Sequence, residues 1–182
     1  MPNLISLLRI FIVPVFFTTL IYYQPDKDYY RSIALGLFCF ASFTDALDGY
    51  LARIRKQVTH LGRFLDPLAD KLLITSGYVG IFLAKDYPLV PPHWVVVAIV
   101  FRDLMIVGGL IVFYVSSVDV EVAPNFLGKL TTACQMATMI SLLLLLPASE
   151  VLWNITALLT VASGLSYVTR EMKTQTRSRK AK

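Results

Sequence analysis

The chain has 182 residues, of which 56% are hydrophobic, and it carries a formal net charge of +5. Its length suits one domain, and its mean hydropathy of +0.64 excludes an ordinary soluble protein and indicates a membrane protein with several spans. No nucleic-acid partner is expected.

Apolar runs of roughly 20 residues, the length that crosses the hydrocarbon core of a bilayer, recur along the chain. Short connections separate them, and four of the five contain proline. The first run has no basic segment before it, so we expect it to be retained rather than cleaved as a signal peptide. The six predicted spans are residues 4–23, 32–53, 61–83, 94–115, 127–146 and 151–168.

These runs predict an all-α polytopic membrane protein with six transmembrane helices, formed by residues 1–169. The remaining residues, 170–182, hold six Lys or Arg against one Glu, so they carry a charge equal to that of the whole chain. The positive-inside rule then predicts a cytoplasmic tail in a bacterial-type cell membrane. The tail either sets this topology only or also binds anionic membrane lipids.

Four aspartates lie in the second and third predicted spans: Asp45, Asp48, Asp66 and Asp70. A charge at the centre of a bilayer costs about 2.5–3.5 kcal/mol, so four together need compensating cations. The first two are three residues apart and the last two are four apart, so each pair shares a helix face. Oxygen ligands at this spacing favour hard divalent cations, Mg²⁺ or Mn²⁺, and four carboxylates suit two ions.

Small residues and one arginine accompany the aspartates, and they leave room for a bulky ligand. Gly49, Ala52 and Gly62 open the backbone surface, while Arg53 offers a planar fork for phosphate or, alternatively, a helix end that faces headgroups. The complete pattern is Asp45-x2-Asp48-Gly49-x2-Ala52-Arg53-x8-Gly62-x3-Asp66-x3-Asp70.

At every fixed position this pattern resembles the motif of the CDP-alcohol phosphatidyltransferase family. The resemblance implies a metal-dependent enzyme that transfers a phosphatidyl group from CDP-diacylglycerol to an alcohol and releases CMP. It implies that Asp45, Asp48 and Asp66 hold the metal ions, and that Asp70 is the base and also contacts the second ion. The donor site would be formed by Asp45, Gly49, Ala52, Arg53 and Gly62.

The acceptor site rests on three further cations. Arg102 lies in the middle of the fourth predicted span, and Lys129 opens the fifth. They either bind an acceptor phosphate together, or Arg102 neutralises the aspartates. Asp103 is expected to point away from Arg102, because consecutive residues do not share a helix face. Arg9 is a weaker acceptor candidate whose alternative role is an anchor at the membrane interface.

The chain is most similar to the branches of this family that make phosphatidylglycerophosphate and cardiolipin. Asp103 and Thr131 stand where the first branch usually has glutamate and lysine, and both departures resemble the second. We rank glycerol 3-phosphate first as the acceptor, with phosphatidylglycerol as the alternative. A homodimer is one assembly that this reading allows.

Two interpretations from other classes stay open. The aspartates could form a coupling-ion site in a small transporter, although the repeats expected of such a protein are not visible. The chain could also be a membrane scaffold with a vestigial metal site. Metal-dependent release of CMP would separate the enzyme from both.

Overall fold

The computed structural model describes the backbone of residues 2–55, 62–116 and 126–180, and the side chains of 7–45, 47, 66–109, 111 and 126–166. In these ranges the protein forms six helices and no strand. They are α1 (Pro2–Ile21), α2 (Tyr29–Arg55), α3 (Gly62–Leu83), α4 (His93–Ser116), α5 (Phe126–Leu143) and α6 (Ser149–Lys180). Each predicted span coincides with one helix, so the all-α prediction is confirmed for the described residues.

Membrane crossing is supported by composition most clearly for α5. Within the described residues, Phe126–Leu143 is the one helix that is both long and apolar enough to cross a membrane, and Leu7–Ile21 forms a shorter apolar segment. The six-span arrangement therefore stays a prediction. The last helix, α6, continues to Lys180, so the basic residues between positions 170 and 180 extend the same helix.

Helix α3 is the centre of the bundle. It packs on α1, α2, α4 and α5, while α6 closes the other side against α4 and α5. The buried apolar core runs along α3 through Leu73, Ile74, Tyr78 and Ile81. This arrangement places the N-terminal half of α3, with its aspartates, next to α2 and α4.

Two glycines let the neighbours of α3 approach closely. A Cβ atom on Gly77 would lie 2.6 Å from Cε of Met139 on α5. A Cβ atom on Gly80 would lie 2.9 Å from Cδ1 and 3.1 Å from Cβ of Leu20 on α1. The second contact includes an atom that cannot rotate away, so the α1–α3 spacing depends on the missing side chain at Gly80.

Beside its apolar core the bundle also buries polar side chains, and many large apolar side chains lie on its exterior. Buried hydroxyls join α5 to α6, where Thr138 and Thr156 share a hydrogen bond of 2.8 Å and Ser141 and Ser149 share one of 2.5 Å. The exterior is apolar, with Phe126 76% exposed. An apolar exterior around a hydrogen-bonded polar interior is the pattern expected of helices that pack in lipid.

Arg31 joins the start of α2 to the end of α5. Its Nη1 donates to the carbonyl oxygen of Leu143 at 2.8 Å, and its Nε and Nη2 donate to the two carboxylate oxygens of Asp28 at 2.7 and 2.6 Å. These hydrogen bonds hold the pKa of the Asp28 carboxyl below its usual range. Asp28 thus orients the arginine that caps α5.

We predict that Gly80→Leu lowers the stability of the purified protein by about 1–3 kcal/mol, because the new side chain overlaps Leu20. The matched control is Gly36→Leu on α2, since a Cβ atom there meets nothing within 4 Å. Thermal unfolding in detergent measures both. Equal melting temperatures for the two variants would contradict the close α1–α3 contact.

We predict that Asp28→Asn destabilises the protein in a pH-dependent way. The pKa of Asp28 is lower in the folded than in the unfolded state, so its contribution is full above the unfolded value of about 4 and is lost as pH falls through the folded value. The difference in melting temperature between wild type and variant should therefore shrink on acidification. Asp26→Asn, in the same exposed turn, is the control. A difference that is constant over pH would show that Asp28 acts without its charge.

Candidate active site

Carboxylates from both halves of the predicted motif lie on two neighbouring helices. Asp45 is on α2, Asp66 and Asp70 are on α3, and all three are partly buried. Helices α2 and α3 contact each other, so the two halves of the motif lie on neighbouring helices. Asp66 and Asp70 are four residues apart on a continuous helix and share one face of it.

The remaining motif residues lie on the same helices, but their side chains are outside those that the structure describes. Asp48, Gly49, Ala52 and Arg53 follow Asp45 along the last turns of α2, and Gly62 is the first residue of α3. Their predicted roles in metal and donor binding therefore stay predictions.

Arg9 on α1 is directed at the first carboxylate of the motif. Its Nη2 lies 2.5 Å from Oδ1 of Asp45, and its side chain is only 1% exposed. Its Nε and Nη1 are buried and have no hydrogen-bond partner in the described part of the chain. The guanidinium is therefore buried against Asp45 rather than extended toward the outside of the bundle.

A second charged cluster joins α3, α4, α5 and α6 beside the aspartates. Nζ of Lys71 lies 3.4 Å from Oδ1 of Asp103 and donates to Oγ1 of Thr132 at 3.0 Å. Nη1 of Arg102 donates to the same Asp103 oxygen at 2.7 Å, and Nη2 donates to Oγ of Ser163 at 3.3 Å. Two cations thus share one carboxylate oxygen. We call Lys71, Arg102 and Asp103 the charged triad.

The expectation that Asp103 points away from Arg102 is wrong. The two side chains leave α4 in different directions, but the arginine side chain is long enough to curve back and place its guanidinium on the carboxylate. Spacing rules for short side chains do not limit arginine in this way, and burial of both groups favours their pairing.

Lys129 and Thr131 occupy different environments on α5. Lys129 is exposed, so it lies outside the buried triad that contains Arg102. Thr131 is fully buried, and its hydroxyl donates to the carbonyl oxygens of Leu127 and Leu159 at 2.7 and 3.2 Å. Thr131 therefore helps join α5 to α6.

Sequence reasoning missed Lys71, although a signal was present. It is a lysine inside a predicted span and directly follows Asp70. An intramembrane cation and an intramembrane Asp103 are each costly alone, which favours pairing the two across helices. Ser163 and Thr132 gave no comparable signal, since hydroxyls are common in such helices.

The described carboxylates have the chemistry of a metal site but do not form one by themselves. Within the described residues, no group of three or more His, Cys, Asp or Glu side chains is close enough to hold an ion. The side chain of Asp48, the fourth predicted ligand, is outside those residues. The donors that are described, Asp45, Asp66 and Asp70, are all carboxylates, which matches the preference of Mg²⁺ and Mn²⁺ for oxygen.

Comparison with known proteins agrees with the motif. A sequence profile described as CDP-alcohol phosphatidyltransferase matches residues 1–165. A Mycobacterium tuberculosis protein named probable phosphatidylglycerophosphate synthase is 35% identical over 179 residues, which cover 95% of this chain and 82% of the relative.

Two further relatives carry different names. A Bacillus subtilis protein named CDP-diacylglycerol–glycerol-3-phosphate 3-phosphatidyltransferase is 35% identical over 190 residues, covering 93% of this chain and 94% of the relative. The human protein named cardiolipin synthase (CMP-forming) is 34% identical over 192 residues, covering 91% of this chain and 60% of the relative.

Proposed function

The chain belongs to the CDP-alcohol phosphatidyltransferase family and is a transferase of phospholipid biosynthesis, and from this premise we propose that its acceptor is glycerol 3-phosphate and its product phosphatidylglycerophosphate. The observation that carries the proposal is the pairing of the buried Arg9 on α1 with Asp45 on α2, the helix that contacts α3 and its motif aspartates. A cation thus meets the first motif carboxylate beside the helix that carries the second half of the motif, which supports the proposal.

Asp45, Asp48, Asp66 and Asp70 would hold two divalent ions, either Mg²⁺ or Mn²⁺. When bound, the ions would neutralise negative charge on the phosphate oxygens of CDP-diacylglycerol. In support, Asp45 lies on α2 and Asp66 and Asp70 lie on α3, two helices that contact each other, and carboxylates brought together in this way favour a cation between them.

Asp70 is the proposed base. The acceptor hydroxyl loses its proton to the Asp70 carboxylate while its oxygen forms a bond to the phosphorus of the phosphatidyl group. The bond from that phosphorus to the CMP oxygen breaks, and CMP leaves with the electron pair. Asp70 suits this role because it is partly buried on the helix that packs against α2, at the junction of the two motif halves.

The donor is proposed to bind along the end of α2 and the start of α3. There Gly49, Ala52 and Gly62 would leave space for the nucleotide. Arg53 would contact phosphate, and Asp45 would contribute through the ion that it holds. Arg9 supports this placement, because it holds Asp45 in position while Nε and Nη1 keep donors for an anionic ligand.

Arg102, Lys129 and Arg9 are the proposed acceptor cations. Burial of Arg102 in the charged triad with Lys71, which follows Asp70, supports it, whereas Lys129 is exposed and would act at the entrance. The second candidate function is a cardiolipin synthase that uses phosphatidylglycerol. It is favoured by the 34% identity of the chain to the human protein named cardiolipin synthase (CMP-forming).

The six helices are proposed to cross the membrane, with residues 1–169 embedded, residues 170–182 forming a basic tail, and the site and tail facing the cytoplasm. Exposed apolar side chains on two helices support this placement. On α4, Val97, Phe101 and Leu104 are 61–65% exposed, and on α6 Leu158 is 70% exposed. The tail would also contact anionic lipids.

We predict that Asp45→Asn and Asp66→Asn abolish transfer together with metal binding, because a neutral amide cannot replace a carboxylate ligand. Asp70→Asn should instead lower kcat by a factor of about 10² or more, with donor affinity changed much less. Binding of Mn²⁺ by the purified variants, measured by electron paramagnetic resonance, separates the two classes. If Asp70→Asn loses donor binding in parallel with the rate, Asp70 is a ligand and the base assignment is wrong.

The acceptor assignment predicts that purified protein with CDP-diacylglycerol and Mg²⁺ or Mn²⁺ releases CMP when glycerol 3-phosphate is supplied. Mass spectrometry of the lipid product should find phosphatidylglycerophosphate. Formation of cardiolipin from phosphatidylglycerol, without use of glycerol 3-phosphate, would establish the second candidate. Failure to release CMP with either acceptor would contradict both.

A further inference from the structure

Lys71 keeps a hydrogen-bond donor for a ligand. Its ammonium group has three N–H donors, of which one goes to Oγ1 of Thr132 at 3.0 Å and one is directed at Asp103 at 3.4 Å. The Thr132 hydroxyl donates in turn to the carbonyl oxygen of Gly128, so it acts toward Lys71 as an acceptor. The lysine is therefore fixed by two oxygens from two helices and retains one N–H.

The charged triad carries one positive charge in excess, because its two cations share one carboxylate. Both cations lie within 3.4 Å of the same Asp103 oxygen, so their charged nitrogens are at most about 6 Å apart. A phosphate group can accept from two nitrogens at that separation through different oxygens. Nε of Arg102 is also buried without a hydrogen-bond partner among the described residues.

Lys71 is also in the right place relative to the proposed base. It directly follows Asp70 on α3, and the two interact electrostatically. In a glycerol phosphate, three carbons separate the free terminal hydroxyl from the phosphate. We therefore expect an acceptor whose hydroxyl lies at Asp70 to place its phosphate toward the buried Lys71 rather than toward Lys129, which is exposed on α5.

We propose that Lys71 binds the phosphate group of a glycerol-linked acceptor, and that Asp103 and Thr132 are the positioning residues that hold Lys71 there. The inference rests on the proposed function and names the residue that recognises the acceptor. A phosphate monoester and the phosphodiester of a lipid headgroup share this chemistry. Asp103 is 1% exposed, so it acts through Lys71 and Arg102 rather than by touching the acceptor.

The test measures CMP release by purified protein, with acceptor and CDP-diacylglycerol varied separately. For Lys71→Gln the acceptor KM should rise by about tenfold or more, while the donor KM stays within about twofold. Lys71→Arg should recover much of the loss, because it keeps the charge. Inorganic phosphate should compete with the acceptor in the wild type and compete more weakly in Lys71→Gln. Lys85→Gln, in the exposed turn after α3, is the control with wild-type kinetics.

Lys71→Gln leaves Asp103 paired with Arg102, so the fold should be retained. If Lys71→Gln does not retain the fold, Thr132→Val tests the role of Lys71 instead. This variant removes the single hydroxyl that Lys71 contacts and should raise the acceptor KM by about threefold. The matched control is Thr131→Val, which should lower the melting temperature without changing the acceptor KM.

The outcomes separate this inference from the proposed function. Parallel measurements with glycerol 3-phosphate and with phosphatidylglycerol identify which of the two acceptors depends on Lys71. If wild type releases CMP with neither, the proposed function fails. If wild type is active but Lys71→Gln and Thr132→Val change only kcat or melting temperature, Lys71 is a structural ion pair and this inference alone is overturned.

Discussion

A charge buried among apolar helices must meet an opposite charge, since removing one partner of a buried pair costs about 3–5 kcal/mol. This requirement determines how the first four helices meet around the candidate site. Arg9 is 1% exposed and reaches Asp45, which ties α1 to α2. Lys71 reaches Asp103, which ties α3 to α4. Arg9 lies at Asp45 of the motif, and Lys71 directly follows Asp70 of the motif. The contacts that hold the bundle together therefore also set the electrostatic potential of the site.

The sequence was sufficient to predict the helices, because apolar runs and proline-containing turns carry that information locally. Their packing was not predictable in the same way. Gly80 has no sequence feature that separates it from Gly36, yet one meets Leu20 within 3 Å and the other meets nothing within 4 Å. The link from Arg31 to the Leu143 carbonyl oxygen joins residues 112 positions apart. Such contacts depend on which helix faces which, and hydropathy does not encode that choice.

The candidate site, like the fold, was predictable from the sequence only in part. Spacing alone predicted that Asp66 and Asp70 share a face of one helix, and they do lie on the continuous helix α3. The family motif predicted that Asp45 lies near them, and the helix that carries Asp45, α2, contacts α3. The partners of the cations were not predictable, because a long side chain can choose among several carboxylates. Arg102 pairs with its own neighbour, Asp103, and Lys71 pairs with the same carboxylate. The position of Lys71 inside a predicted span was the only feature of the sequence that indicated this pairing. The ligand roles of the aspartates rest on the motif rather than on these contacts.

The two positions at which the chain departs from the phosphatidylglycerophosphate branch both have structural uses here. At Asp103 a short side chain keeps one oxygen close to α4, where Arg102 and Lys71 both reach it; a glutamate would carry that oxygen one methylene further and change both distances. At Thr131 the hydroxyl donates to the Leu159 carbonyl oxygen across the α5–α6 contact, where a lysine would have to bury a charge. Because packing accounts for both residues, neither substitution by itself indicates a change of acceptor. Discrimination between a phosphate monoester and a phosphodiester then depends on the cations that remain beside Asp70, and of these Lys71 is the nearest along the chain.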